Sequence, residues 1–591
     1  MKVMLIFPPN WTPTMPHLAL PTLTAYLREN GVEVIQRDLN IEIFDTLLTE
    51  KQVKKSLNKL RQIYTNRGTL RPGQESRRPA IPQTVQWALK EGQAIAKKVG
   101  AAKNVVKSDA FFDGPIGLAA FETIVNSLEI ASLPYFPANL HLQSYEAAYP
   151  SDESRTVLFG VKDPQTNMFL DFYRNGILND IKKEQPDVVG ISIPSMAQVI
   201  PGLTLGYLIK EAELPCHVTI GGPHVSMLRE SIEAVPAMFE LIDSAVIFDG
   251  EVPLLQLVQA VTTHGDLSQV ANLVYNKNGT PVVTDRKEPE KIKDLPLPDF
   301  DGLPLDKYLA PKLVLPLLTA RGCYFGKCAF CNVGYGEAET FSQLKADVLA
   351  DQMLTLHEKY GTDHIFFSDE AITPRNLRHL KPALAERGNP VHWGGCVRFE
   401  KVIKKPLLED MYEAGCRMIL FGLETAAEVM IQKMVKGTQL EHMNRILQES
   451  AEVGIWNHTF FFFGFPGETI EDAQETVNFV FNHKYHINSA AIGTFLLERY
   501  SPAHVFPSTF GIKKIIDHPE KDLAIYYDYE VKEGMPEQMA DLVAERFIGS
   551  LPDKPYPQFY VHDVYRMLYS SYNSERGLPQ PPWLVAEEAR T

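Results

Sequence analysis

Short apolar runs rich in Val, Ile and Phe alternate with helical patterns near the amino terminus. Residues 3–7 and 32–35 form two such runs around a helical pattern at 18–30, and after a long interruption further runs occupy 186–193, 217–220 and 244–248. Buried strands that alternate with helices are typical of a parallel sheet covered on both faces. The pattern predicts a doubly wound, Rossmann-like α/β domain formed by residues 1–45 and 186–280.

The interruption, residues 46–185, predicts a mostly helical and basic insertion. Between Lys51 and Ala110 there are 14 Lys or Arg residues and three Asp or Glu residues. The densest basic run is Lys51, Lys54, Lys55, Lys59 and Arg61 through Arg78. A solvated helix face explains this run; a dock for an acidic peptide leader, a phosphate-bearing substrate or a partner is the alternative, because a local positive field attracts anions. The sequence does not choose between them.

A second alternation follows a linker rich in Pro and Asp at residues 281–309. Six strands are predicted near 314–319, 364–368, 391–397, 418–423, 458–463 and 490–497, with helical patterns between them. Such repetition predicts a partial (β/α)6 TIM-type barrel over residues 310–500, in which the carboxyl ends of the strands form the active face. Residues 501–591, rich in Tyr and Pro, are predicted to form a small C-terminal domain.

The composition narrows the function classes. The 591 residues include 58 Lys or Arg and 73 Asp or Glu, a net charge of −15, which disfavours non-specific binding to nucleic acid or anionic lipid. No apolar run approaches the ~20 residues of a membrane-spanning helix, and the opening segment is too short for a signal peptide. Six cysteines are too few for a disulfide scaffold. We therefore expect a cytoplasmic protein without a membrane span.

Three of the cysteines, Cys323, Cys328 and Cys331, fall within nine consecutive positions. Disulfides are disfavoured in the cytoplasm, and a structural zinc site needs a fourth Cys or His, which the next twenty residues lack. An iron–sulfur cluster with one iron free of protein ligands is the leading interpretation, with zinc or unligated thiols as the alternative. Cys396 and Cys416 have apolar neighbours and are predicted to be core thiols.

The cysteine loop, Gly422-Leu423-Glu424 after the fourth barrel strand and the segment Gly464 to Thr469 after the fifth resemble the radical S-adenosylmethionine enzymes over about residues 310–500. This loop has four residues between its first two cysteines, where the family usually has three. The resemblance implies that the cysteines hold a 4Fe-4S cluster whose fourth iron is chelated by S-adenosylmethionine. An external electron donor such as flavodoxin or ferredoxin would drive cleavage to methionine and a 5′-deoxyadenosyl radical.

The resemblance also implies cofactor contacts at six positions: Phe330, Asp369, Glu370, Arg398, Glu424 and Gly464. Phe330 would pack near the adenine, and Asp369 and Glu370 would face the methionine ammonium. Arg398 and Glu424 are candidates for the methionine carboxylate and ribose, or for pairing with one another. The alternatives are a salt-bridge layer of Asp369, Arg398 and Glu424 across the barrel mouth, and a simple turn at Gly464.

The first domain resembles the cobalamin-binding module that precedes the barrel in a large subset of this family. The matching segments are 5–9, 191–195, 220–224 and 250–251. Ligands of open parallel sheets bind beyond the strand ends where the strand order reverses, and glycine permits close approach. The candidate contacts are therefore Ser192, Ser195, Gly221 and Gly222. No Asp-x-His-x-x-Gly loop is present, so cobalamin would lack a histidine from such a loop; the alternative is a relic domain without cobalamin.

The resulting hypothesis is a cobalamin-dependent radical S-adenosylmethionine enzyme that methylates an unactivated carbon of a small-molecule or peptide substrate. Methylcobalamin would carry the methyl group. A radical enzyme that performs cyclisation, rearrangement or C–S chemistry without methyl transfer is the enzymatic alternative. A zinc-binding scaffold is the non-enzymatic one.

Overall fold

The computed structural model of the chain describes residues 1–66, 82–336, 341–388 and 390–584. Two compact units share the chain. The first comprises Met1–Glu290, Pro296–Pro311 and Glu520–Ala524, and the second comprises Lys291–Leu295, Lys312–Pro519 and Ile525–Thr591.

The first unit contains a seven-stranded sheet in the order β2-β1-β5-β6-β7-β8-β9. Its first five strands pair in parallel, which confirms the doubly wound α/β class. Their apolar side chains are buried: β1 and β5 expose almost nothing, as expected for strands covered on both faces. The strands of this unit, including a separate β3–β4 hairpin, are β1 (Lys2–Phe7), β2 (Glu33–Asp38), β3 (Asn139–Leu140), β4 (Tyr145–Glu146), β5 (Val188–Ser192), β6 (His217–Gly221), β7 (Ser244–Val246), β8 (Leu273–Lys277) and β9 (Thr280–Val283).

Two features of this sheet matter for a site. The strand order reverses between β1 and β5, and ligands of open parallel sheets bind beyond the strand carboxyl ends at such a point. The sheet also ends in an antiparallel hairpin, β8–β9, around Asn278-Gly279, a typical hairpin turn. The hairpin crosses the predicted domain boundary at residue 280.

Helices cover this sheet and fill most of residues 46–185. Helices α3, α4 and α5 pack on one another, while Arg78 lies outside the described residues. The helices are α1 (Ala19–Glu29), α2 (Leu39–Leu47), α3 (Glu50–Asn66), α4 (Gln83–Val106), α5 (Gly114–Ser132), α6 (Ser154–Gly160), α7 (Phe169–Asn175), α8 (Ile177–Glu184), α9 (Val199–Glu211), α10 (Pro223–Met227), α11 (Arg229–Ala234) and α12 (Glu251–Thr263).

One helical segment of the first unit is both long and apolar. Gly114–Tyr135 has 22 residues and the composition of a membrane-crossing helix, although 56% of its most apolar window is buried inside the unit. Packing against α3 and α4 accounts for its apolar face. Glu122 and Glu129 interrupt the segment, so it is not an uninterrupted apolar run of the kind the sequence analysis considered.

The second unit is built on six parallel strands in the order β10-β13-β14-β15-β16-β17, the partial barrel predicted from the sequence. Because all neighbouring strands of this sheet pair in parallel, all six carboxyl ends lie at one edge. The strands are β10 (Val314–Leu317), β11 (Ala320–Arg321), β12 (Ser342–Gln343), β13 (His364–Phe367), β14 (His392–Val397), β15 (Cys416–Glu424), β16 (Trp456–Phe463), β17 (Ser489–Thr494), β18 (Leu497–Glu498), β19 (Ile512–Ile515), β20 (Tyr526–Tyr527) and β21 (Tyr529–Val531). The helices are α13 (Ala346–Tyr360), α14 (Pro374–Ala385), α15 (Lys405–Glu413), α16 (Glu428–Lys433), α17 (Leu440–Val453), α18 (Ile470–Asn482), α19 (Pro502–Val505), α20 (Glu537–Gly549) and α21 (Asp563–Glu575).

The tail of the chain differs from the prediction of a separate small domain. Helix α20 packs on β16 and β17, and α21 packs on β14, β15 and β16, so both belong to the second unit. The start of α21 contributes Val564, Met567 and Leu568 to the core. Burial of these apolar side chains against the strands explains why the tail does not fold apart.

Candidate functional site

The cysteine loop begins after β11 and lies at the carboxyl edge of the barrel strands. Hydrogen bonds anchor it: Ala329 N–H donates to Met434 O at 2.9 Å, and Ala503 N–H donates to Ala329 O at 2.8 Å. Gly326 has φ of 57°, the left-handed region that favours glycine, and it lets the loop fold back toward Cys323. Cys323, Cys328 and Cys331 are all half-buried on this loop.

The thiol set fits an iron–sulfur cluster better than a single ion. Burial raises the pKa of Cys331 to about 12, so bonding to iron must displace its proton. Within the described residues, no three His, Cys, Asp or Glu side chains converge where one metal ion could bind. Thiolates of a 4Fe-4S cluster bind different irons and need not converge on one point. The three thiols of the loop therefore suit a cluster.

Arg398, directly after β14, faces the cysteine loop and is only 7% exposed. Its Nη1 lies 3.8 Å from Cys328 Sγ, and its Nη2 donates to Lys436 O at 2.5 Å. Its guanidinium carbon lies 3.8 Å from the centre of the Phe325 ring, and its Nε lies 3.3 Å from Glu400 Oε1. These contacts hold the guanidinium beside the sulfur of Cys328.

Glu424, at the end of β15, pairs with Lys436, a residue that the sequence analysis missed. Lys436 Nζ donates to Glu424 Oε1 at 2.7 Å, and both residues are less than a tenth exposed. A Cβ at Gly422 would lie 2.5 Å from Glu424 Oε1 and 2.7 Å from Lys436 Nζ, so glycine makes room for the pair. Lys436 Nζ also lies 5.6 Å from the centre of the Phe330 ring. The pair therefore lies beside the cysteine loop.

Asp369 and Glu370, after β13, have different surroundings. The Asp369 carboxylate accepts hydrogen bonds from Thr319 N–H, Thr319 Oγ1–H and Ala320 N–H, at 2.7–3.1 Å. Burial raises the pKa of Asp369 to about 7, opposed by these bonds. Asp369 thus ties β13 to the start of the cysteine loop. Glu370 is solvent-accessible, has no hydrogen-bond partner among the described residues, and desolvation raises its pKa. Of the two carboxylates, Glu370 is the one free to meet a ligand.

The predicted salt-bridge layer of Asp369, Arg398 and Glu424 does not form. Asp369 binds the backbone and hydroxyl at 319–320, Arg398 pairs with Glu400, and Glu424 pairs with Lys436. The direct Arg398–Glu424 pair is likewise absent among the contacts of the described residues. Lys436 lies between the two and satisfies both: its backbone carbonyl binds Arg398, and its ammonium binds Glu424.

Phe330 and Gly464 lie among aromatic side chains. The Phe330 ring packs edge-on against Phe462, with centroids 5.3 Å apart. Gly464 N–H donates to the buried Glu468 carboxylate, and a Cβ at Gly464 would lie 2.4 Å from Ala540 Cβ in α20. The contacts at Gly464 are therefore those of a self-bonded turn packed against a helix, while a contact with cofactor stays a prediction.

In the first unit, the four predicted cobalamin contacts lie at or just beyond the carboxyl ends of β5 and β6. Ser195 Oγ lies 3.2 Å from Gln198 Oε1, and the fully buried Gln198 donates to Pro8 O at 2.6 Å, which links the loops after β1 and β5. Gly222 has φ of 112°, and a Cβ there would lie 2.9 Å from Ile193 O. Gly222 is thus required by the fold itself, whatever ligand binds. Ser192 and Gly221 are paired across the two strands.

Histidines that the sequence analysis did not select lie at the same strand ends. The ring of His17 stacks on Phe7 with centroids 4.6 Å apart and meets Trp11 edge-on at 5.2 Å. His224 lies in the first turn of α10 and is 3% exposed, and its Nε2 has no partner among the described residues. Burial lowers the pKa of both histidines to about 4, so both are neutral at pH 7. The sequence spacing of these two histidines does not indicate their position, because only the fold brings residues 17 and 224 to the strand ends.

Comparison with known proteins agrees with this architecture. Residues 317–480 match the model of the radical SAM superfamily. This region holds the cysteine loop and four of the six barrel strands, β13 to β16. Over this region the chain is similar to the radical SAM superfamily, as the resemblance predicted, and 4Fe-4S and S-adenosylmethionine are the cofactors of that family.

Curated relatives cover about half of the chain. An uncharacterized methyltransferase of Pyrococcus horikoshii is 28% identical over 308 residues, 51% of this chain and 65% of the relative. The cytidylyl-2-hydroxyethylphosphonate methyltransferase of Streptomyces wedmorensis is 24% identical over 360 residues, 52% of this chain and 65% of the relative. Each match thus spans less than two thirds of the relative's own length.

Solved structures share the fold of the whole chain. The cobalamin-dependent S-adenosylmethionine radical enzyme OxsB, with aqua-cobalamin bound, has a TM-score of 0.57 and 14% identity over 92% of this chain and 66% of its own. The radical S-adenosylmethionine methyltransferase TsrM of Kitasatospora setae, with cobalamin and a 4Fe-4S cluster bound, has a TM-score of 0.51 and 16% identity over 94% of this chain and 85% of its own. At these identities the likeness establishes the fold class.

Proposed function

We propose that the protein is a cobalamin-dependent radical S-adenosylmethionine methyltransferase that acts on an unactivated carbon of a small-molecule or peptide substrate. An external electron donor such as flavodoxin or ferredoxin would serve it, in the cytoplasm. The observation that carries the proposal is the cysteine loop at the carboxyl edge of the barrel, with three half-buried thiols and the buried cations Arg398 and Lys436 beside them.

In this proposal, different residues of the second unit bind the cluster and the different groups of S-adenosylmethionine. Cys323, Cys328 and Cys331 would hold the cluster, and the unpartnered Glu370 carboxylate would accept the ammonium of S-adenosylmethionine. Glu424 and Lys436 would orient its polar groups, and Phe330 would cover the adenine. When bound, these cofactors supply one-electron chemistry that opens a C–H bond, and cobalamin supplies a methyl group.

The first unit supports the cobalamin part of the proposal. Its strand order reverses between β1 and β5, and Ser192, Ser195, Gly221 and Gly222 lie at the strand ends beside or next to this point. The names of two relatives and the bound cobalamin of two structural neighbours point the same way.

A second candidate keeps the radical chemistry and transfers no methyl group. One relative favours it: the anaerobic magnesium-protoporphyrin IX monomethyl ester cyclase of Rubrivivax gelatinosus is 26% identical over 326 residues, 52% of this chain and 57% of the relative. Ring closure on the same barrel is therefore the alternative to methylation.

The test is anaerobic reconstitution followed by measurement of iron, sulfide, corrin and the products of S-adenosylmethionine. Wild-type protein should bind iron, sulfide and corrin and yield both S-adenosylhomocysteine and 5′-deoxyadenosine. Replacement of Cys323, Cys328 and Cys331 by Ala should abolish iron and sulfide binding, whereas Cys216→Ala, outside the loop, should not. Release of 5′-deoxyadenosine without S-adenosylhomocysteine would favour the second candidate, and a triple variant that keeps its iron would refute the cluster assignment.

A further inference from the structure

We propose that Arg398 raises the reduction potential of the iron–sulfur cluster by donating a hydrogen bond to the sulfur of Cys328, and that Glu400 opposes this effect. The inference rests on the cluster assignment above and goes beyond it. It gives Arg398 a positioning and electrostatic role toward the cluster instead of the predicted contact with the methionine carboxylate.

The first argument is that the guanidinium is fixed on four sides. Nη1 points at Cys328 Sγ at 3.8 Å, and Nη2 donates to the carbonyl of Lys436 at 2.5 Å. Nε lies 3.3 Å from Glu400 Oε1, and the flat face stacks on the Phe325 ring at 3.8 Å. With its side chain 8% exposed, Arg398 has little freedom to swing toward a different anion.

Phe325 and the backbone reinforce this placement. Phe325 lies between the first two cysteines of the loop, and its ring packs so closely on Gly437 that a Cβ there would lie 2.5 Å away. Gly437 follows Lys436, whose carbonyl binds Arg398. Arg398 is thus clamped between the cysteine loop and the segment at 436–437, with one N–H directed at the sulfur.

The second argument is electrostatic. Reduction adds one electron to the cluster, and a cation or an N–H···S bond stabilises the more negative, reduced state more than the oxidised state. In a buried site this effect is larger than in water because the local dielectric constant is low. The ammonium of Lys436 is neutralised by Glu424 at 2.7 Å. Arg398 acts on Cys328 because its Nη1 contacts the sulfur directly, at 3.8 Å.

Replacement of Glu400 should change the reduction potential in the opposite direction to replacement of Arg398. Its Oε1 accepts hydrogen bonds from both Arg398 Nε and Tyr324 Oη, the latter at 3.1 Å. Its negative charge offsets part of the field of Arg398 at the sulfur. Removal of that charge should raise the potential, whereas removal of Arg398 should lower it.

The experiment is a redox titration of the cluster in the reconstituted full-length protein without S-adenosylmethionine, followed by the electron paramagnetic resonance signal of the reduced cluster. Arg398→Gln should lower the ratio of reduced to oxidised cluster at a fixed potential about tenfold, which equals ~59 mV for one electron. Glu400→Gln should raise the ratio by a smaller factor. Arg445→Gln is the matched control: Arg445 binds Ile403 O and Glu449 on α17, and its loss should leave the ratio unchanged.

The outcomes separate this inference from the proposed function. Wild-type protein that binds no iron would refute the cluster itself. A loaded Arg398→Gln variant with the wild-type potential would overturn the inference, and weaker S-adenosylmethionine binding in that variant would then restore the carboxylate-binding role. If Arg398→Gln fails to take up iron, Glu400→Gln, which leaves Arg398 in place, must still raise the potential; an unchanged value would overturn the inference.

Discussion

The Glu424–Lys436 pair shows how single residues shape the barrel mouth. Glu424 has φ of 59°, an uncommon backbone conformation for a residue other than glycine, which turns the chain sharply at the end of β15. The turn brings the carboxylate over Gly422 to meet Lys436. Each charge is compensated by the other in a place where an isolated charge would be costly.

Removal of one partner of this pair should lower the stability of the second unit strongly. Lys436→Met removes the ammonium and leaves the Glu424 carboxylate buried alone, which should lower the free energy of unfolding of the second unit by about 3 kcal/mol. The additional change Glu424→Gln should recover most of this loss. Urea unfolding followed by fluorescence measures it. The control is Lys513→Met, which breaks the exposed pair Lys513–Glu530 at 2.8 Å and should cost less than about 1 kcal/mol; equal losses would contradict the prediction.

Glu468 should make stability depend on pH. Its side chain is fully buried, its Oε1 has no partner among the described residues, and burial raises its pKa to about 7 from an ordinary 4.5, although Gly464 N–H opposes the shift. The folded protein therefore holds this proton more tightly than the unfolded chain, so the stabilisation is complete below pH 4.5 and is lost as the pH rises to about 7.

The check is a pair of urea unfolding series between pH 5 and 8. Wild-type protein should lose stability relative to Glu468→Gln over this range, by an amount on the order of 2 kcal/mol. The same comparison for the exposed Glu471→Gln should be flat. Parallel pH profiles for wild type and Glu468→Gln would show that the carboxyl does not titrate in this way.

Sequence reasoning at the residue scale succeeded where a motif carries the chemistry and failed where only tertiary contacts do. The three cysteines, Glu424 and Arg398 come together at one edge as predicted from the strand ends. Lys436 was missed because it lies in the connection between α16 and α17, where no periodicity or spacing marks it. Gly222 was chosen for ligand approach, whereas the carbonyl of Ile193 already explains it.

At the scale of elements, helix α21 closes the amino-terminal end of the barrel strands through a polar relay. Arg417, which can only donate, contacts His392 Nε2 at 3.1 Å, so the proton of this neutral ring lies on Nδ1. His392 Nδ1–H then donates to Ser571 Oγ at 2.5 Å, and the Ser571 hydroxyl donates to His364 Nε2 at 3.0 Å. One orientation of protons satisfies all three contacts.

Ser571→Ala should break this relay, because the buried His364 Nε2 and the half-buried His392 Nδ1 both lose their hydroxyl partner. The expected loss is about 1–3 kcal/mol in the free energy of unfolding, measured by urea denaturation at pH 7. Ser574→Ala is the control on the same helix, since its hydroxyl makes only a 3.3 Å contact with Gln580. Similar losses for the two variants would contradict the relay.

The same relay predicts acid sensitivity. Burial lowers the pKa of His364 to about 3 and that of His392 to about 4, with nearby positive charge adding to both shifts. The stability that these neutral rings contribute is present above pH 6.5 and is lost as the pH falls toward 4, because the unfolded chain takes up protons first. None of this was predictable from the Tyr- and Pro-rich composition of the tail, in which α21 carries no motif.

For the whole molecule, the sequence predicted both parallel sheets because buried parallel strands are short, apolar and β-branched, and because helical segments separate them. The sequence predicted the boundaries of the two units less accurately. The β8–β9 hairpin extends the first sheet beyond residue 280, and the tail joins the second unit, since such additions depend on long-range packing that local periodicity does not record. How much of the basic run at 51–78 meets a ligand stays a prediction.

The division into two units leads to a prediction about cofactor loading. If cobalamin binds at the reversal point of the first sheet and the cluster binds on the cysteine loop, then each site should be emptied without loss of the other cofactor. Gly222→Phe is a poor probe because any side chain at Gly222 meets the backbone of Ile193 and would disturb the fold itself. Ser195 is better placed, because it is half-buried just beyond β5 and its hydroxyl makes only a 3.2 Å contact with Gln198.

Ser195→Trp should therefore lose corrin by steric exclusion and keep its full iron and sulfide content, whereas replacement of the three loop cysteines by Ala should lose iron and sulfide and keep corrin. Both contents are measured on the same anaerobically reconstituted samples by metal analysis and by the visible spectrum of extracted corrin. Ser195→Ala serves as the control and should bind both cofactors as the wild type does, because it removes a single weak contact and adds no bulk. If Ser195→Trp binds corrin as well as Ser195→Ala, the strand ends of the first sheet do not form the cobalamin site, and the methyl-transfer proposal loses its structural support.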